Sequence, residues 1–186
     1  MSPFTHVLVL ASIVIGMGMR EVLIGFVDTV RARQAVRLYW PHLLFASGVF
    51  ATQMTWWWIA WSYRGHEWTV GALLLLISGP VLLFMIARLT FPNPVVDQDL
   101  EAYYYGLAPI LLVLAFLYTG RGLASDVVFL DRTLASPTSA VRAFAMVLIM
   151  VMALTKRRWV HHWGQPLLWT SLTGVVLLFY RSLGVE

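Results

Sequence analysis

Six predominantly apolar runs divide the chain, each to be judged against the roughly 20 residues that a helix needs to cross about 30 Å of hydrocarbon. The first runs from Phe4 to about Phe26, with a helical continuation toward Arg33. The second, about Leu38 to Trp61, contains no Asp, Glu, Lys or Arg, and Pro41 sits in its first turn. The third covers Trp68 to about Ala87. It carries Gly79-Pro80 two-thirds of the way along, where a missing N–H predicts a kink or a hinge. The fourth opens at Tyr103-Tyr104-Tyr105 and runs to about Tyr118; the fifth spans Thr138 to Thr155, with Arg142 in its first turns. The sixth covers about Gly164 to Tyr180, with Pro166 in its first turn. The pattern predicts an all-α, polytopic integral membrane bundle of six transmembrane helices, a single membrane domain over residues 1–186.

The segments between the runs refine this outline. Phe91-Pro92-Asn93-Pro94, followed by Asp97, Asp99 and Glu101, is the most polar stretch and reads as a loop. Its acids are expected to pair with Arg31, Arg33 or Arg37, because both connections fall on one side of the membrane. Gly120 to Pro137 is too charged to span and too apolar to float freely, which predicts an interfacial helix or cap. Arg142 is expected to reach the interface with its long side chain. The spacing from Arg33 to Pro41 equals that from Arg158 to Pro166, which allows an internal repeat of helical hairpins.

Composition agrees with the pattern. The chain is 60% hydrophobic and 12% charged, where a soluble domain carries about 25% charged residues. The first run lacks a basic region before it and a small-residue cleavage site after it, so it is expected to stay in the mature protein. Absence of cysteine removes disulfides, thiolate metal sites and cysteine nucleophiles. The net charge of +4 is carried largely in short connections, which points to membrane orientation and not to nucleic acid. Arg31, Arg33, Arg37, Arg88, Lys156, Arg157 and Arg158 lie on one side, against Arg64, Arg121, Arg132, Arg142 and Arg181 on the other. That bias puts both termini outside the cytoplasm of a bacterial-type inner membrane.

Candidate chemistry begins with charges inside the first run: Arg20, Glu21 and Asp28, joined by Gln53 of the second. Glu21 and Asp28 are seven apart and share a face, with Gly25 between them allowing another backbone to approach. Ser12, Gly16, Arg20 and Leu23 form a face expected to point inward. Arg20 points about 100° away from Glu21 around a helix, so each needs its own partner. Intramembrane charges of this kind mark a polar path for ions or protons, or else a clamp between helices. Trp56, Trp57, Trp58 and Trp61 read as an interfacial belt or as an aromatic site for a cation or flat ligand, with at least one ring directed inward. His42 and the pair His161-His162 fall at one membrane face, which leaves room for a haem or metal between helices, but no metal-ligand spacing is present. No nucleophile elbow, P-loop or dinucleotide fingerprint occurs, so catalysis has no positive support and no cofactor is expected.

Two readings of function follow. The leading one is a small channel or transporter-like module for an ion, proton or small solute. The alternative is a membrane-embedded sensor or accessory subunit that binds an apolar ligand or a partner helix. Its partners are the lipid bilayer and either further copies of itself or another membrane protein.

Overall fold

The computed structural model describes residues 3–95 and 98–179, and the described chain is all-helical. Its elements are α1 (Pro3–Arg31), α2 (Trp40–Trp61), α3 (Val70–Thr90), α4 (Leu100–Leu130), α5 (Pro137–Leu154) and α6 (Arg158–Phe179). Four of them, α1, α3, α4 and α5, are long and apolar enough to cross a membrane. Helices α2 and α6 have 22 residues each, but their tryptophans, histidines and glutamines lower their mean hydropathy.

Helix α2 occupies the middle, in contact with α1, α3, α4 and α6, while α1, α3, α4, α5 and α6 follow one another around it. The helices alternate in direction. Connections 32–39, 91–99 and 155–157 meet at one end: Arg37 exchanges backbone hydrogen bonds with Gln98 and Leu100, and Trp40 and His162 pack edge-to-face at 5.1 Å. At the other end, Tyr63 stacks on Phe129 at 4.6 Å, and Phe4 touches Trp61 and Trp68. The first end holds most of the basic residues and the second most of the tryptophans, so they are called here the basic and the aromatic end.

The buried seam of α1 is Phe4, Leu8, Ala11, Ile15, Gly18, Val22, Gly25 and Thr29, alternating steps of four and three. That 3.5-residue period is the pattern of left-handed helix packing, and α3 is the principal partner. The face Ser12-Gly16-Arg20-Leu23, expected inward, instead turns out: Gly16 has open space beside it and Leu23 is 48% exposed. Burying the large residues of the seam removes more apolar surface than burying Ser12 and Gly16 would.

Helix α4 departs furthest from expectation. Instead of ending near Tyr118 before an interfacial cap, it continues unbroken to Leu130 and stops at Asp131, whose φ of 49° lies in the left-handed region. Its start is fixed by Asp99, which accepts from the Glu101 and Ala102 N–H groups at 2.9 and 3.2 Å. The Ala102 N–H, with that of Glu101 and the Arg37 guanidinium, holds this carboxyl below the usual carboxylate range. A depressed carboxyl stabilises the fold above its ordinary pKa of about 3.9, and that contribution is lost as pH falls through the lower folded value. Helix α6 begins at Arg158, so His161 and His162 lie within it and Pro166 sits in its interior. Pro41 by contrast starts α2, so the two prolines do different work, which removes the argument for a hairpin repeat.

Trp169 of α6 lies flat against Gly48 of α2, where any side chain would overlap the indole. Gly48→Val is therefore expected to cost about 1–3 kcal/mol by overpacking. Gly16→Ala should leave stability unchanged or raised, since it improves helix propensity and meets nothing. Thermal midpoints in detergent check the pair; a tolerated Gly48→Val would mean that α2 and α6 are not held at this distance.

Candidate functional site

The end of α1 supplies the first cluster. Arg20 donates to Glu21 at 3.0 Å, and Arg88 of α3 approaches the other carboxylate oxygen at 3.6 Å. Adjacent residues thus pair despite the angle between them, because both long side chains fold over the same cleft. Arg88 is the donor from another helix that Glu21 requires. The cleft has a volume of about 340 Å³ between the basic ends of α1 and α3, and Arg20, Glu21, Gly25, Asp28 and Arg88 border it. Asp28 pairs with Arg31 at 3.8 Å. The space at Gly25 is taken by the Phe91 ring, not by another helix backbone.

Gln53 stands apart from this cleft. It is fully buried between α2 and α3, donates weakly to the Leu83 carbonyl at 3.4 Å, and fits because Gly18 has no side chain. Its Oε1 has no hydrogen-bond partner among the described residues. The tryptophans also divide. Trp56 is buried with its indole nitrogen beside Gly79, whereas Trp57 and Trp58 face outward at 43% and 39% exposure. Trp57 and Trp61 pack at 6.0 Å, and Arg64 lies over the Trp61 ring at 5.9 Å. The four rings do not converge on one pocket.

A second charged cluster, absent from the sequence reading, lies toward the aromatic end. Asp126 of α4 is fully buried and receives Arg142 of α5 through Nε at 3.2 Å and Nη2 at 3.5 Å, with Arg132 at 3.8 Å. Arg142, expected to reach the interface, turns inward instead, because Gly122 leaves a gap that its guanidinium fills. Next to Gly122, Arg121 points the other way, over the Tyr118 ring at 5.5 Å and onto the Leu75 carbonyl at 3.2 Å. Pro80 deprives the neighbouring Leu76 carbonyl of its helical donor, so Arg121 supports α3 where its hydrogen-bond ladder is broken. The spacing Gly122, Ser125, Asp126 on one helical face is the signal that could have revealed this cluster.

At the basic end a hydrogen-bond chain crosses from α6 to α4 and back. Trp169 Nε1 donates to Gln165 Oε1 at 3.0 Å, and Gln165 Nε2 donates to the Tyr104 hydroxyl at 2.8 Å. His161 Nε2 faces the Thr155 carbonyl at 2.8 Å, which can only accept, so Nε2 carries the proton and Nδ1 accepts from Tyr104 at 2.9 Å. With both ring nitrogens engaged, His161 has none to offer a metal or haem. His42 touches Tyr104 and Phe91 edgewise, and both of its buried ring nitrogens lack hydrogen-bond partners among the described residues. Among the described residues no group of three metal-ligating side chains occurs. Beside this chain, burial and a hydrogen bond to Tyr105 push the Tyr39 phenol upward and keep it neutral.

Of the loop acids, Asp99 pairs with Arg37 at 3.2 Å as anticipated. Glu101 does not pair with the first connection but with Arg158 at 2.8 Å, because the start of α6 lies beside the start of α4. Asp97 lies outside the described residues. Compared with family models, curated proteins and solved structures, the chain matches none, so its function is read from these residues.

Removing one member of a buried ion pair leaves the other uncompensated, at a typical cost of about 3–5 kcal/mol. Asp126→Ala is expected to lose about that much, and Asp126→Ala combined with Arg142→Met to regain most of it. Denaturant unfolding in micelles measures both. Equal destabilisation by the single and double variants would mean that the pair is not the source of the loss.

Proposed function

We propose that this protein is a small membrane transport module, with all six helices spanning the bilayer and a small anion as the permeant. The observation that carries the reading is a series of polar groups, exposed at the basic end and buried further in, running through the α1–α4 side of the bundle. From the Glu21–Arg88 cleft it passes Gln53, then Trp56 and Arg121 beside Gly79, and ends at Asp126 and Arg142. Its contacts on α3 run from Arg88 to Leu75, thirteen residues or about 20 Å of helix, much of the roughly 30 Å hydrocarbon thickness. Gln53 Oε1 and Arg121 Nε in the series, and Ser125 Oγ next to Asp126, are buried and have no hydrogen-bond partner among the described residues. Such groups are costly unless water or a permeating species satisfies them, and intramembrane polar residues mark solute paths. Arg88, Arg121 and Arg142 outnumber Glu21 and Asp126 along the series, and arginine-lined routes favour anions. Glu21 then lines the mouth of the path at the basic end.

Three arguments support the membrane arrangement. The connections 32–39, 91–99 and 155–157 converge at one end, as antiparallel helices that each cross once would require. Helix α2 has no charged residue, and α6 runs beside it. Arg121, Arg132 and Arg142 are drawn toward the Tyr118–Asp126 cluster, so they count little toward surface charge at the aromatic end. The basic end then holds a stronger excess of positive charge and belongs to the cytoplasm, which puts both termini outside a bacterial-type inner membrane. The lipid bilayer is the first partner. Ser12 and Gly16 on the outward face of α1 offer a close-packing surface for a second copy.

Gln53→Leu separates transport from structure. It keeps the volume and removes an unpartnered buried oxygen, so a purely structural role predicts an equal or more stable protein with no other change. On the transport reading, chloride release from proteoliposomes should fall at least tenfold while the fold is retained; release no faster than from protein-free vesicles in the native protein would defeat it. Orientation is checked with single cysteines, which the native chain lacks. Gly65→Cys should react with an impermeant thiol reagent outside intact cells, and Lys156→Cys only after lysis.

A further inference from the structure

We infer that the outer seam between α5 and α6 holds an anionic phospholipid of the leaflet at the basic end. Lys156 and Arg157 hold its phosphate, and the two helices hold its chains. Four other basic residues at this end already have partners: Arg31 pairs with Asp28, Arg37 with Asp99, Arg88 with Glu21 and Arg158 with Glu101. Lys156 and Arg157, in the connection between α5 and α6, are exposed and have no ion pair among the described residues. Just beyond them Trp159 and Trp163 are 63% and 74% exposed, more than any other described tryptophan. Four apart on one helix, they share a face. Indoles favour headgroup depth, so two cations and two rings stand together at the level of a lipid phosphate. Basic residues beside a span attract anionic headgroups. Arg33 also has no ion pair among the described residues, but no aromatic residue lies within five positions of it.

Below the headgroup the same seam is shaped for a chain. On α5 the exposed residues Phe144, Val147, Val151 and Leu154 follow at steps of three and four, and on α6 Trp159, Trp163, Leu167 and Thr170 do the same. Each set is one face of its helix, and the two helices are neighbours. The faces meet in a groove of about 370 Å³ bordered by Phe144 and Thr170, where Gly174 leaves open space. From Leu154 to Phe144 is ten residues or about 15 Å of helix, one leaflet's share of a hydrocarbon layer roughly 30 Å thick. A chain anchored at Lys156 therefore reaches the near edge of the groove. Charge complementarity selects a phospholipid over a partner helix: an apolar helix fills the seam but leaves Lys156 and Arg157 without a counter-charge. The site rests on α6 crossing the bilayer and not on transport, and the cysteine labelling tests the membrane arrangement separately.

The test uses the full chain in nonionic detergent, titrated with 6,7-dibromo phosphatidylglycerol, whose bromines quench nearby tryptophan fluorescence. Phosphatidylcholine with the same chains is the comparison. Saturable quenching is expected with the anionic lipid at a concentration at least tenfold below that needed with the zwitterionic one. Lys156→Gln combined with Arg157→Gln should remove that preference, and Lys156→Arg should keep it. Trp159→Phe combined with Trp163→Phe should remove the saturable component. All these side chains are exposed, so the thermal midpoint should not change. Arg33→Gln should leave binding within twofold. Equal binding of the two lipids, a preference that survives loss of both cations, or saturable quenching that survives both phenylalanines would overturn the site. A preference lost equally in Arg33→Gln would assign it to the charge of the whole end, and displacement by an equal concentration of glycerol 3-phosphate would make it a site for free phosphate; either overturns the proposal. A dimer in detergent that Trp159→Ala with Trp163→Ala dissociates would mean that a second copy covers the seam, which also overturns it.

Discussion

Asp126 is a carboxylate with no access to solvent, and much of the aromatic half of the bundle is arranged to meet its charge. A buried ion cannot be left alone, so Arg142 comes in from α5 and Arg132 from the connection that follows α4. For Asp126 to lie at that depth, α4 must remain helical past Tyr118, through a stretch whose charges would otherwise end it. For Arg142 to arrive, α5 must approach α4 at Gly122. Arg121, the residue before that glycine, then ties α4 to α3 beside the Pro80 break. Two consecutive residues thus connect one helix to both of its neighbours.

The basic end is held differently. There the groups between helices are mostly neutral, with phenols, imidazoles, an indole and an amide arranged around α2 and the starts of α4 and α6. Charged pairs such as Arg37–Asp99 and Arg158–Glu101 lie at the rim, where exposure limits them to about 0.2–1 kcal/mol each. They set the register of the connections more than they stabilise the bundle.

The sequence was informative wherever one physical term dominated. Six apolar runs became six helices because helix length and apolarity leave little alternative, and Glu21 and Asp28 reached one cleft because a separation of seven fixes their face. It was uninformative where two terms competed. The small residues Ser12 and Gly16 looked like a packing face, but the bulkier seam from Phe4 to Thr29 buries more surface. Gly120 to Leu130 looked too polar for a helix interior, since nothing local reveals that Arg142, sixteen residues beyond Asp126, will neutralise it. The same limit hid the chain through His161: its members lie about sixty residues apart in sequence and meet only because α2 and α5 hold the starts of α4 and α6 within side-chain reach.

That chain has a property beyond holding two helices together. Trp169 can only give a proton and the Thr155 carbonyl can only take one, so every member between them has its donor and acceptor sides assigned. No member can turn around alone: reversing Gln165 would set donor against donor at Trp169 and acceptor against acceptor at Tyr104, and a second proton on His161 would leave Tyr104 facing donors on both sides. The arrangement behaves as a unit with a single internal polarity, and disturbing it anywhere is felt at both ends. One end is the junction between α5 and α6. The other is the indole that lies on Gly48, so the approach of α2 to α6 and the geometry of the junction at the basic end are mechanically joined.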